Sequence, residues 1–148
     1  MSLVWTNKKF DELTPHELYA ILRLRSEVFV VEQNCPFLDA DNKDFDCYHL
    51  SGWQDGTLAA YTRLAPPGLT YPEMSIGRVV TSLKFRTRGF GKILMQQSIG
   101  TCYELFGKQP IRIGAQLYLQ RFYESFGFVQ DGPVYDEDGI DHIHMILN

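Results

Sequence analysis

Cysteine is scarce in this chain, and the three that occur, Cys35, Cys47 and Cys102, include no Cys-x-x-Cys spacing. An odd, unpatterned set excludes a disulfide framework and a zinc ribbon, which leaves reduced, partly buried thiols. No apolar run approaches the roughly 18 residues of a membrane-crossing helix. The opening residues lack the apolar stretch and small-residue cleavage site of a secretory signal, so a cytoplasmic location is expected and a membrane partner is not. Basic charge is short as well: 14 Lys and Arg against 18 Asp and Glu give a net −4, with no electrostatic footprint for nucleic acid. No repeat, low-complexity tract or Ser/Gly linker divides the 148 residues, and a single domain over 1–148 is expected. What the chain does have is aromatic bulk, 14% with ten Phe and eight Tyr, enough to build a core or to line a cleft for an extended ligand.

Residues 3–5 read as a short strand and 7–12 as a charged turn. Thr14-Pro15-His16-Glu17 is a capping box with proline at the first helical position. The helix it starts carries Leu18, Ile21, Leu22, Arg25 and Phe29 on one stripe as far as residue 30. Arg25 is unusual there: its stem can pack on the core with the guanidinium reaching solvent, or it can serve a site. Residues 33–46, rich in Asn and Asp, read as a loop. Strands are expected over 47–53 and 57–64, joined by an Asp55-Gly56 hairpin turn, and over 74–82, where Gly77 allows a bulge. A long helix over 89–106 ends at Gly107, a buried strand spans 111–115, and a short helix over 117–126 stops at Gly127. A strand begins at 128–129, and a turn at 138–139 precedes the last strand, 140–147. Helices between some strands and hairpins between others predict an α/β fold with a mixed sheet.

The run Arg86-Thr87-Arg88-Gly89-Phe90-Gly91-Lys92 lies between an apolar strand and the start of the long helix. Glycines there let backbone N–H groups at a helix N-terminus approach an anion, and the three cations add charge where phosphates would lie. A Walker loop is excluded by the missing Gly-Lys-Ser/Thr, and a dinucleotide fingerprint by the missing third glycine and the upstream hairpin.

Entered from Gly77-Arg78-Val79-Val80-Thr81, this loop resembles motif A of the GCN5-related N-acetyltransferases, the GNAT superfamily. The downstream run Tyr123-Glu124-Ser125-Phe126-Gly127-Phe128 is similar to that superfamily's Tyr-x-x-x-Gly-Phe motif. More narrowly, the run from Arg25 to Pro36, the Gly114-Ala115-Gln116 run and His142-Ile143-His144-Met145 resemble the ElaA group. Within the first of these, Arg25-x-x-Val28-Phe29-Val30-x-Glu32-Gln33 is also similar to the start of acyl-homoserine-lactone synthases.

The resemblance implies a mostly antiparallel central sheet flanked by helices, splayed between the strands of Met74 and Ile111 to admit acetyl-CoA as co-substrate, with no metal. The pyrophosphate would rest on Thr87, Arg88, Gly89, Phe90, Gly91 and Lys92 beside Arg86, and the pantetheine along Val79, Val80 and Thr81. Gln116 counts with these donor-binding residues. The reaction implied is acetyl transfer to a primary amine of a small molecule or peptide. Tyr123 would act as general acid toward the leaving thiolate. Glu32, Glu73 and His49 are the candidate bases, and the choice among them stays open. Glu32, Asp39, Asp41, Asp44 and Asp46 lie where the acceptor would bind, and their charge suits a cationic amine. Two other readings accompany this one: a longer-chain acyltransferase of the acyl-homoserine-lactone-synthase type, and a noncatalytic CoA-binding or sensing module. A homodimer is compatible with all three. Separately, His142 and His144 share one face of a strand, a geometry able to grip a metal, although nothing nearby closes a ligand set.

Overall fold

The structure, a computed structural model, describes residues 3–148. Strand β1 (Val4–Lys9) runs further than the expected 3–5 because it pairs along its whole length with β2 (Tyr48–Gln54), and only Phe10–Glu12 remain as a turn. Helix α1 (Pro15–Arg25) starts at the capping box: Glu17 N–H donates to Thr14 Oγ1 at 3.1 Å, and Thr14 N–H donates to the Glu17 carboxylate at 2.8 Å. Past Arg25 the ladder widens into a π-helical stretch, Ser26–Glu32, in which Gln33 N–H reaches back five residues to Val28 O. The loop 33–46 is as expected apart from one tight turn, Asp44–Asp46.

Strands β2 and β3 (Thr57–Ala65) form the predicted hairpin, with Asp55 and Gly56 both left-handed at its tip. Then follow β4 (Met74–Thr81), α2 (Phe90–Phe106) and β5 (Ile111–Gln116). The helix expected over 117–126 is shorter: Leu117–Leu119 form a tight turn, and α3 (Gln120–Glu124) ends in a C-terminal turn at left-handed Gly127. Beyond it come β6 (Val129–Gln130), β7 (Tyr135–Glu137) and β8 (Ile140–Leu147). Strand β7 was not anticipated. Its Tyr-Asp-Glu text reads as an acidic turn, and its strand character comes from pairing with β8 across the Asp138-Gly139 turn.

The sheet order is β1-β2-β3-β4-β5-β8-β6, with β7 also on β8. Every pairing is antiparallel except β4 with β5. Alternation along the strands gives two apolar layers. Met74, Ile76, Ile113 and Met145 pack with Met95 and Cys102 of α2 on one face, and Leu58, Tyr61 and Val80 pack with Ile21, Leu24 and Val28 on the other. Among the described residues no helix is long and apolar enough to cross a membrane.

Strands β4 and β5 pair at Met74 with Ile111 and Ser75 with Arg112, then diverge. On its other edge β4 carries a bulge: Gly77 faces Arg63 and Val80 faces Tyr61, so Arg78 and Val79 together stand opposite Thr62. The bulge falls one residue later than the glycine suggests. Gly77 is extended, and Arg78 takes the left-handed φ of 51°, at a cost of roughly 1–2 kcal/mol for a residue with a Cβ.

Candidate active site

The divergence of β4 and β5 opens a cleft of about 820 Å³. Val79, Val80 and Thr81 line one wall, Gln116 and Tyr123 the other, with Glu32 and Arg86 at the rim. Tyr123 is 5% exposed, wedged edge-on between Phe122 and Phe128. Burial, with a smaller contribution from Tyr118, pushes its phenol well above the ordinary value, so it is protonated at neutral pH. Gln116 exchanges two amide hydrogen bonds, of 3.2 and 3.3 Å, with Gln33, which ties the end of the π-helical stretch to β5 across the opening.

Next to the cleft, Arg86 leads into Thr87, Arg88 and left-handed Gly89, and α2 begins at Phe90. Thr87, Arg88, Gly89 and Lys92 are exposed, Phe90 is buried, and Gly91 sits over Phe122, where a Cβ would approach the ring at 3.8 Å. The first amides of α2 have no partner inside the helix, so an anion can be received there. Of this run only Arg86 lines the cleft itself. It forms a two-pronged ion pair with Glu32, and those hydrogen bonds hold the Glu32 carboxyl below its usual range.

The three residues named as candidate bases are not brought together. Glu32 is at the rim in the pair just described. Glu73 lies outside the cleft lining, where Arg112 donates to it at 3.1 and 3.3 Å and lowers its carboxyl. His49 is buried on β2: its Nε2–H donates to the Asp44 carbonyl at 2.9 Å, and its Nδ1 accepts from the Tyr61 hydroxyl at 2.6 Å. Burial outweighs those contacts and lowers its pKa, so the ring is neutral.

Arg25 does not reach solvent. It is 0% exposed and donates to Asp39 at 2.7 Å, to Asp44 at 2.7 Å and to the Asp39 carbonyl at 3.2 Å. Arg63 grips Asp41 at 2.8 and 3.0 Å and Asp44 at 3.1 Å. Arg78 closes the cluster with its Nε 2.8 Å from Asp39 and its Nη2 donating to the Asp39 carbonyl at 2.9 Å. Burial alone would raise the Asp41 carboxyl, but Arg63 overrides it and takes it to about 2; Arg25 and Arg63 likewise hold Asp44 low against its burial. The acidic loop expected to attract a cationic acceptor is therefore neutralised at Asp39, Asp41 and Asp44. These carboxylates hold the loop and the bulge in place. Sequence reasoning missed this network, whose one visible signal was a charged residue on the apolar stripe of the first helix.

His142 and His144 do share a face, but they pack with tyrosines: Tyr135 stacks on His144 at 4.6 Å between ring centroids and lies 5.8 Å from His142. No group of three or more metal-ligating side chains occurs among the described residues. Cys47 and Cys102 are buried thiols pushed up to about 11 and about 12 by burial, and Cys35 donates to the Asp138 carbonyl at 3.0 Å.

A parallel strand pair opened by a bulge, facing a glycine-rich helix start, is the architecture of a CoA-dependent acyltransferase, and the chain belongs to the GNAT acetyltransferase family, whose domain matches residues 38–148. Protein ElaA of Escherichia coli is 43% identical over 143 residues, 95% of this chain and 94% of ElaA. The crystal structure of that protein matches at a TM-score of 0.91 with 40% identity, covering 99% of both chains. An acyl-CoA N-acyltransferase from Pseudomonas aeruginosa matches at 0.95 with 44% identity, covering 99% of this chain and 100% of that one. A CoA-dependent acyl-homoserine lactone synthase, solved with SAM and isopentyl-CoA, matches at 0.77 with 17% identity over 98% of this chain and 82% of its own, a likeness of fold alone.

Proposed function

We propose that the protein transfers the acetyl group of acetyl-CoA directly to a primary amine of a small molecule or peptide. The observation that carries this reading is the bulged, diverging edge of β4 opposite Tyr123 in one cleft, beside the free amides of α2. An extended pantetheine arm carries amides of its own and can pair with β4 as a peptide pairs with a sheet edge. Its pyrophosphate then meets the amides of Thr87, Gly89, Phe90, Gly91 and Lys92; the Arg88 amide, expected among them, is already given to the Phe85 carbonyl at 3.2 Å, which leaves Arg88 its guanidinium. The thioester carbonyl lies against the bulged Val79, whose amide stabilises the developing oxyanion, while Val80 stays paired with Tyr61 of β3. The amine nitrogen attacks the carbonyl carbon, the C–S bond breaks, and the Tyr123 hydroxyl donates toward the departing sulfur.

Calorimetric titration with acetyl-CoA and with CoA tests this. The protein should bind both, and Arg88→Glu should weaken both by roughly tenfold or more, the scale of one hydrogen bond to a charged group. Tyr123→Phe should keep the affinity and lose about 100-fold in acetyl transfer. Absence of binding overturns the reading. An unaltered rate in Tyr123→Phe removes the general acid, and a protein that binds CoA but acylates no amine is a CoA-binding module.

A further inference from the structure

His142, on β8 opposite Gln116, is 6% exposed yet lines the cleft. Its Nδ1 lies 2.7 Å from the Ile140 carbonyl oxygen. A carbonyl only accepts, so Nδ1 bears the hydrogen and the lone pair of the neutral ring is on Nε2. Nε2 stands 3.4 Å from the Glu137 carboxylate, so a proton taken there finds an ion-pair partner already in place.

Two phenols complete the surroundings. Tyr135 comes from β7, and Tyr71, from the turn between β3 and β4, meets His144 edge-on at 5.4 Å. Their hydroxyls converge over Gly114: a Cβ there would lie 2.9 Å from the Tyr135 oxygen and 3.0 Å from the Tyr71 oxygen. No left-handed backbone calls for glycine at this position, so its missing side chain is what makes room for the two hydroxyls. Both tyrosines line the cleft, and among the described residues neither hydroxyl has a protein hydrogen-bond partner. Burial raises both phenols, Tyr135 to about 12, so each remains a hydroxyl with free lone pairs. Continued from Met74 and Ile111, the register sets Gly114 across the gap from Gly77, roughly 7 Å along the strand from Val79.

We infer that this cluster is the acceptor seat: Tyr71 and Tyr135 accept two N–H groups of a primary ammonium, and His142, backed by Glu137, is the catalytic base that removes its proton. The inference rests on the acetyl-transfer reading. Three donors of one ammonium meet three acceptors, and the aromatic walls suit an amine on a slim apolar stem. The titratable and charged groups facing the seat are Tyr135 and Glu137 of β7, Asp138 in the following turn, Tyr71, His142 and His144 of β8, and Arg112 of β5, whose charge acts on Tyr71 and which is itself paired with Glu73 and Asp131; β5 also contributes the uncharged Gly114 and Gln116. The ammonium gives one proton to Nε2, which passes it to solvent. The freed nitrogen bonds to the thioester carbon as C–S breaks, and the second proton it sheds balances the one gained by the thiolate sulfur.

The test uses n-butylamine and aniline as probe acceptors. In spectra taken with and without CoA, n-butylammonium should shift the His142 imidazole nitrogen signals and the ring signals of Tyr71 and Tyr135. His142→Gln should bind acetyl-CoA as the wild type does and lose about 100-fold in transfer to n-butylamine at neutral pH. That loss should shrink as pH approaches the amine's own ionisation at about 10, and it should vanish for aniline, which is unprotonated at neutral pH. Gly114→Ala should raise KM for n-butylamine with acetyl-CoA affinity intact. Equal losses for both amines, or tyrosine and histidine signals that n-butylammonium leaves unmoved, overturn the seat. Failure of the wild type to bind acetyl-CoA overturns the acetyl-transfer reading instead, and the spectra without CoA then decide the seat alone.

Discussion

On the proposed donor side of the cleft, Arg86, Arg88 and Lys92 stand on an exposed run, while on the other side Arg25, Arg63 and Arg78 are enclosed by Asp39, Asp41 and Asp44. Each side has three cations, but in the first set Arg86 is paired with Glu32 at the rim while Arg88 and Lys92 face solvent beside the start of α2, within reach of a ligand. The second is consumed in shaping the protein. If the open charge serves binding, as proposed, and the closed charge serves architecture, mutations in the two sets should separate affinity from stability.

The sharpest separation should come from Arg25→Met. It strands Asp39 and Asp44 without their shared buried partner and should cost about 3–5 kcal/mol in urea denaturation. Arg88→Glu in the same assay should stay within about 0.5 kcal/mol, the range of surface changes. Asp39→Asn tries to break the distinction from within. It weakens the holds on Arg25 and Arg78 together, should cost about 1–3 kcal/mol, and should also weaken acetyl-CoA binding although Asp39 lies beyond the donor's reach, because Arg78 sets the bulge beside Val79. Acid should act on the closed set: the Asp41 carboxyl, at about 2 in the fold against 3.8 when unfolded, contributes stability that is fully present above 3.8 and lost as pH falls through 2. Asp44 shifts in the same direction, so thermal midpoints should drop steeply across that window, and Arg63→Gln should flatten the drop. The smallest effect belongs to Gly77→Ala. Its Cβ would meet nothing within 4 Å, so stability should change by less than about 0.5 kcal/mol, whereas Gly114→Ala across the gap disturbs two hydroxyls.

The loop proposed to hold the donor could be picked out in the sequence because its features are local. A strand, two glycines and a helix start are contiguous in sequence, and the backbone amides they expose need no distant partner. The acceptor side depends on convergence. Arg25 showed itself as a charge on an apolar stripe, but its true surroundings come from residues 14 and 19 positions further on, folded back over β3 and β4. Alternation correctly placed His142 and His144 on one face of a strand. It did not show that β7 would lay Tyr135 against them, because the residues around that tyrosine read as turn. The π-helical stretch left no mark in the apolar periodicity, which α-helical spacing fits as far as Phe29.

The bulge at Arg78 and the parting of β4 from β5 have a consequence for what the sheet can receive. An unpaired strand edge normally sits at the rim of a sheet, where charge or twist keeps other chains from adding to it. Here such an edge runs through the middle of an eight-stranded sheet, with backbone groups past Ser75 and Arg112 facing a gap instead of a neighbour. The gap works as a template. On the proposed reading it suits a guest that can slide in lengthwise and offer amides at strand spacing better than a compact molecule of equal charge or greasiness. For the donor proposed here, selectivity for a long, jointed molecule would thus be written in missing hydrogen bonds.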